Sequence, residues 1–416
     1  MNTLNDLKRE TFFMFRERAF VVWLVVVFCL SAFAVWSGQA EVQQQRESIV
    51  FLNHADEQDR STEFAKQSDW GSAAYYSFHL TYDPPSDFAF AALGQRDTSS
   101  WKHRLRMLAL EGQIYEHDPG NPVLALTGSF DFAFFASFVL PLIIIFLLHD
   151  LRVSEHSAGR FDLLVASAGS SASLWWLRAF LRSGGVLLAT VVPLLIAGIA
   201  SDTSLLTMIS ATAFVVAYII FWTLVCIWGA SWKRSAPVIL ASLIGVWVLL
   251  GTVLPAGSRL IIDSLAPIPT GADILMTQRE AVNDAWDLPV EDTMAPFVER
   301  HPEWTGYIYE GDGFDWGWYF AFQQVGDQTA EKLAHAYRDG RIQRDRLAGF
   351  FAVVAPPALL ERRLQKLAGT DMGSVLFYEG KVRAFHAKLR AYYYPGLFGD
   401  EPFDPGRLTD LPQFSP

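Results

Sequence analysis

Five apolar stretches decide what this chain can fold into. They lie at residues 20–38 ("FVVWLVVVFCLSAFAVWSG"), 130–148 ("FDFAFFASFVLPLIIIFLL"), 184–200 ("GGVLLATVVPLLIAGIA"), 205–228 and 237–254. A helix crosses the hydrocarbon core of a bilayer with about 20 mostly apolar residues. Each stretch is close to that length. Pro141 and Pro193 fall inside two of them, where neighbouring helices can satisfy the backbone groups that a proline frees. The chain is 51% hydrophobic and only 19% charged over 416 residues. Its mean hydropathy is +0.20. Soluble domains carry about a quarter charged residues, and here the apolar excess is gathered into runs rather than spread. The expected fold class is an all-α integral membrane protein, with about five transmembrane helices and two mainly helical extracytoplasmic regions.

Basic residues assign a side to each connection. The first 19 residues carry Lys8, Arg9, Arg16 and Arg18. The 149–183 segment carries Arg152, Arg160, Arg178 and Arg182, and the short link before the fifth run carries Lys233 and Arg234. The link around Asp202 has no basic residue. Cytoplasmic segments are enriched in Lys and Arg, so the N-terminus is expected in the cytoplasm. Regions 39–129 and 255–416 are then extracytoplasmic. Residues 257–416 hold sixteen basic against twenty-three acidic residues. This acidic balance argues against a nucleic-acid partner. "AVWSGQAEV" also has the small residues of a signal-peptidase site, but the apolar run before it is longer than a usual signal core.

Before the first run, "NDLKRETFFMFRERAF" mixes phenylalanines with charge and reads as an amphipathic helix in the cytoplasmic interface, or as a plain extension of the first span. Region 39–129 opens with a polar helical stretch and turns to loop punctuation at "DPPSD" and "HDPGNP". Region 255–416 has helix-like spacing in "DQTAEKLAHAYRDGRIQRDRL" and "YEGKVRAFHAKLRAYYY". Between them "AGFFAVVAPPALL" is too short to span and is expected to be packed core or an interfacial segment.

The chain lacks the signatures of common catalysts. There is no phosphate-binding G-x-x-x-x-G-K-[ST], no dinucleotide G-x-G-x-x-G after a strand, no G-x-S-x-G and no H-E-x-x-H. Cys29 and Cys226 both lie in apolar runs and read as buried small hydrophobes. His54 with Asp56 and Glu57 reads as a solvated polar face rather than a metal site. His149 and His156 are seven residues apart and share a helical face poorly. The chain is therefore expected to be no enzyme and to bind no metal or cofactor directly. Asp131 and Asp150 stand at the two ends of the second span. There they act either as interface anchors or as functional acids, and Asp131 is also placed to favour a helix N-terminus. The aromatic run "GDGFDWGWYF" (311–320) reads equally as an interface belt or as a surface for a partner or substrate.

The segment from the second span to the third, "FDFAFFASFVLPLIIIFLLHDLRVSEHSAGRFDLLVASAGSSASLWWLRAF", resembles the signature region of ABC-2-type permeases. Those are the membrane subunits of ATP-driven exporters. The matching residues are Pro141-Leu142, Glu155, Gly159-Arg160, Leu163-Leu164 and Ala166. The more common form of the family has Thr after the glycine, where this chain has Arg160. "DPPSDFAFAALGQRD" (83–97), "NPVLALTGSFDFAF" (121–134), "LQKLAGTD" (364–371) and "FYEGKVRAFHAKLRAYYYP" are similar to a subgroup with large extracytoplasmic insertions. The family usually has a sixth span after the second insertion. This chain ends at "LTDLPQFSP", about where that span should begin.

The resemblance implies that 149–183 is a loop lying against an ATPase subunit as a coupling helix. Phe161, Leu163, Leu164 and Val165 would supply an apolar contact there, with Glu155 and Arg160 a polar rim; Gly159 completes the motif. The alternative is a helix that packs under the bundle. The resemblance also implies a bacterial inner-membrane exporter, paired with itself or a sister permease. ATP and Mg would then be handled by the partner ATPase. The competing expectation is a membrane-anchored periplasmic binding or assembly protein that does not transport.

Overall fold

The computed structural model describes residues 3–116, 129–168, 171–309, 313–399 and 401–416. Most of the chain is helical. Among the described residues, five helices are long and apolar enough, by length and composition, to cross a membrane. Helix α1 (Thr3–Arg16) precedes α2 (Arg18–Phe64), which carries the first apolar run straight into the polar stretch after it. Next come α3 (Trp70–Tyr76), β1 (His79–Tyr82), β2 (Lys102–Leu105) and α4 (Leu110–Tyr115). The second apolar run forms α5, made of Phe132–Phe134, a π turn over Phe135–Val139, and Leu140–Leu148. Two short helices follow, α6 (Val153–Ser157) and α7 (Phe161–Ala168). Then come α8 (Ser171–Ala200) and α9 (Leu205–Ala230). Helix α10 runs through Ala236–Val248, a π turn over Leu249–Val253, and Leu254–Leu265. The chain closes with α11 (Gly271–Asp284), α12 (Val290–Arg300), α13 (Trp316–Ala352), α14 (Pro356–Ala368) and α15 (Met372–Phe398).

Several expectations change. The third long helix starts at Ser171, well before the apolar run at 184, because Arg178 and Arg182 are good helix formers whose charges are paired. The pair β1–β2 forms a small antiparallel sheet, with His79 opposite Leu105 and Tyr82 opposite Lys102. Four-residue strands are too short to leave a readable alternation. Cys29 is exposed on α2, whereas Cys226 is buried. The aromatic run after 311 is partly core, although Phe314 stays 55% exposed. Trp318, Phe320 and Phe322 are buried and pack with Trp286, Tyr75 and Phe297. Gly311 and Asp312 lie outside the described residues, as do the "HDPGNP" turn and the 121–128 part of the subgroup motif. No group of His, Cys, Asp or Glu among the described residues could hold a metal ion.

Two cores organise the molecule. One lies among the apolar helices and includes Phe20, Phe132, Phe135 and Trp222. The other joins the two long insertions: Trp70, Leu105 and Ile114 from the first pack with Phe297, Phe320 and Tyr393 from the second. Buried ions cross the same seam. Arg383 forks onto Glu111 at 2.7 and 2.9 Å. Asp327 accepts from Arg390 at 2.6 Å and from the backbone N–H groups of Leu110 and Glu111. Burying such charges is tolerable only when every partner is in place. Helix α14 packs on the first core: its Leu360, Leu364 and Ala368 belong to it, and Thr370 just beyond it donates to Ala92 O at 2.7 Å.

Candidate functional site

Of the residues quoted for the resemblance, Glu155, Gly159, Arg160, Phe161, Leu163 and Leu164 meet at one end of the helix bundle. Helix α6 ends in a tight reversal at Gly159, whose φ is +67°. The Gly159 N–H donates to His156 O and the Arg160 N–H to Glu155 O, at 3.1 and 3.0 Å. This is a Schellman cap, which needs a left-handed residue after the helix and brings the residue beyond it back over the third-last helical residue. The spacing of Glu155, Gly159 and Arg160 is thus a structural requirement. The cap places the Arg160 guanidinium 2.9 Å from the Glu155 carboxylate.

The other Glu155 oxygen accepts from Arg178 of α8 at 3.0 Å. Arg178 in turn donates to Glu10 of α1 at 2.7 Å. The Glu10 side chain is only 3% exposed, so a carboxylate is held out of water by this chain of charges. One turn along α8, Arg182 donates to Glu17 at 2.6 Å and to the Leu147 carbonyl near the end of α5 at 3.0 Å. A stack of rings lies alongside. His156 lies on Phe161 with centroids 3.6 Å apart, and Phe161 is stacked on Trp175. Arg152 lies over the Phe161 ring and Arg178 over the Trp175 ring.

Glu155, Arg160, Leu163 and Leu164 line one cavity of about 340 Å3 together with Glu10, Arg178 and Arg182. Leu163 is 76% exposed. Gly159 shapes the turn, and Phe161 anchors α7 by stacking. Val165 is not among the residues whose side chain is described.

The two membrane-end acids are not part of this cluster. Asp131 caps α5 at its opposite end. One oxygen accepts from Phe134 N and the other from Leu93 N, both at 2.8 Å. It is buried at 6% exposure and joins the helix to the first insertion. Asp150 is half-buried beyond α5, and its carbonyl accepts from Ser154 N. Sequence reasoning did not single out Glu10. The available signal was charge complementarity: an acid in the N-terminal helix, and two arginines four residues apart on an otherwise apolar helix.

Comparison with known proteins adds one finding. Residues 273–416 match a family described as a domain of unknown function, DUF3526. That stretch contains most of the second insertion and none of the site just described. No curated protein and no solved structure matches the chain.

Proposed function

We propose that the chain is the membrane-spanning permease subunit of an ABC-2-type exporter, and that α6 and α7 couple it to a separate ATPase subunit. The observation that carries this reading is the double pairing of Glu155. It ties the α6–α7 loop to α8 through Arg178 and onward to α1 through Glu10. A loop fixed to the root of a spanning helix passes on a partner's movement, whereas a loose loop absorbs it. The exposed Leu163 beside this charged rim offers the apolar contact for that partner.

The apolar helices support the membrane part of the reading. The most apolar window of α10 is only 11% buried and that of α2 is 28% buried, which water would penalise heavily. Helix α2 has 47 residues, about 70 Å at 1.5 Å per residue. That is more than twice the hydrocarbon thickness, so its second half would stand outside with the two insertions. The basic residues of 1–19, 149–183 and 231–236 favour a cytoplasmic α6–α7 end. A second copy or a sister permease would cover α10, and ATP and Mg would be bound by the partner.

The test is affinity purification from detergent-solubilised native membranes. A stoichiometric nucleotide-binding subunit is expected with the wild type, and its loss with Leu163→Asp. The second reading, an anchored extracytoplasmic binding or assembly protein, is favoured by the separate core shared by the insertions. Recovery of envelope proteins without any ATPase would select it.

A further inference from the structure

A cavity of about 730 Å3 lies between α10, α13 and α14. Six cations line it: Arg259, Arg341, Arg344, Arg362, Arg363 and Lys366. Three carboxylates face them, Asp263, Asp345 and Asp371. The cleft is thus cationic inside an insertion that is acidic as a whole. Part of this charge is spoken for. Arg344 pairs with Asp263 at 3.2 Å, Arg362 with Asp345 at 2.9 Å and Arg341 with Glu379 at 2.7 Å. Asp371 is occupied in capping α15. No carboxylate among the described residues forms an ion pair with Arg363 or Lys366, and both side chains are exposed.

The cleft also sits where polar and apolar surfaces meet. Pro357 at the start of α14 lies beside Gly251 of α10 and near Phe138 of α5. The Arg363 guanidinium is 5.8 Å from the Phe214 ring centre in α9. The elbow between α13 and α14 presents Phe350, Val353 and Val354 to the outside, and α10 presents Leu260 and Leu265; Phe350 is 72% and Leu260 73% exposed. A small hydrated anion would have no use for this rim. An amphiphile with an anionic head matches both parts.

We propose that this cleft binds the phosphate headgroup of an anionic phospholipid from the outer leaflet, with its acyl chains along the exposed elbow. Guanidinium groups suit the planar, forked recognition of phosphate oxygens. The inference rests on the reading that α10 crosses a bilayer.

The test is native mass spectrometry of the full chain in detergent, titrated with phosphatidylglycerol, with phosphatidylcholine and with inorganic phosphate. Phosphatidylglycerol is expected to bind in preference to phosphatidylcholine, and inorganic phosphate is expected not to displace it. The double variant Arg363→Gln/Lys366→Gln removes two exposed cations that hold no ion pair and should weaken retention roughly tenfold. Equal retention of the two lipids overturns the proposal, as does unchanged retention in the double variant. Displacement by inorganic phosphate would assign the cleft to a free anion and overturn the lipid source. Carbonate-washed membranes from the same cells separate the two readings. Wild-type chain absent from them defeats the spanning reading and this inference together. Chain present but indifferent to the headgroup defeats this inference alone.

Discussion

The Tyr218 hydroxyl donates to the backbone carbonyl of Ser137 at 2.6 Å, and the residue four beyond Ser137 is Pro141. A proline has no N–H to give the carbonyl one turn before it. The orphaned oxygen is buried among apolar helices, and a tyrosine from α9 satisfies it. Trp247 of α10 donates to the neighbouring Phe138 O at 3.1 Å. The π turn in α5 is therefore stitched to two neighbouring helices. Tyr218→Phe should lower stability by about 1 kcal/mol, read as a drop in thermal midpoint of the detergent-solubilised protein. Adding Pro141→Ala should restore part of the loss, because the new N–H can reach Ser137 O. No rescue in the double variant would separate the tyrosine from the proline.

Removing the Arg178 side chain leaves Glu10 buried without its main partner. Arg178→Ala should destabilise the α1–α8 contact by about 3 kcal/mol, and Glu10→Gln in the same chain should recover much of it. Protease sensitivity of the first 19 residues reports the contact directly. On the proposed function, the single variant also loses bound ATPase.

Gly159 is the one residue of the loop whose backbone demands glycine. An added Cβ meets no atom within 4 Å, so space is not the obstacle; the positive φ is. Gly159→Ala should cost about 1 kcal/mol, and Gly159→Asn less, since asparagine tolerates this conformation. Limited proteolysis between α6 and α7 should rank the three proteins in that order. Equal cleavage would mean that the cap does not rigidify the loop.

The insertions should lose stability in acid through His79. Its ring is buried, neither nitrogen has a hydrogen-bond partner, and burial depresses its pKa to about 3. The unfolded chain takes up this proton near pH 6.5. Between about pH 6.5 and 3 the unfolded state therefore holds more protons than the folded one. Stability is full above that window and falls through it by about 1.4 kcal/mol per pH unit. His386, also buried and depressed, adds in the same sense. Buried carboxylates such as Asp327, whose pKa burial raises, act oppositely near their own titration. The difference between wild type and His79→Phe isolates the histidine: its melting temperature should fall less on acidification. Parallel curves would refute the assignment.

The long apolar helices were legible because a long apolar run has few alternatives as a structure. The Glu155–Gly159–Arg160 spacing was visible only through the resemblance; that it closes a Schellman cap is seen in the structure. The α6–α7 loop was expected as one short helix, and the cap at Gly159 makes it two. Glu10 was invisible because its buried partner Arg178 lies 168 residues away, while the adjacent Arg9 makes it look like part of a solvated charged face. The cationic cleft was hidden in the same way: its arginines come from α10, α13 and α14, inside an acidic composition.

The sequence by itself determined the five apolar helices and the side on which basic residues gather. Each follows from local periodicity or composition. Only the tertiary structure decided that Asp131, already placed at a helix N-terminus by the sequence, also holds Leu93, that Trp318 and Phe320 of the aromatic run are core, and that the two insertions share one core. Those outcomes depend on which distant groups arrive to satisfy a buried carbonyl, carboxylate or ring. Such pairings are set by packing across the whole chain, and no window of the sequence contains them.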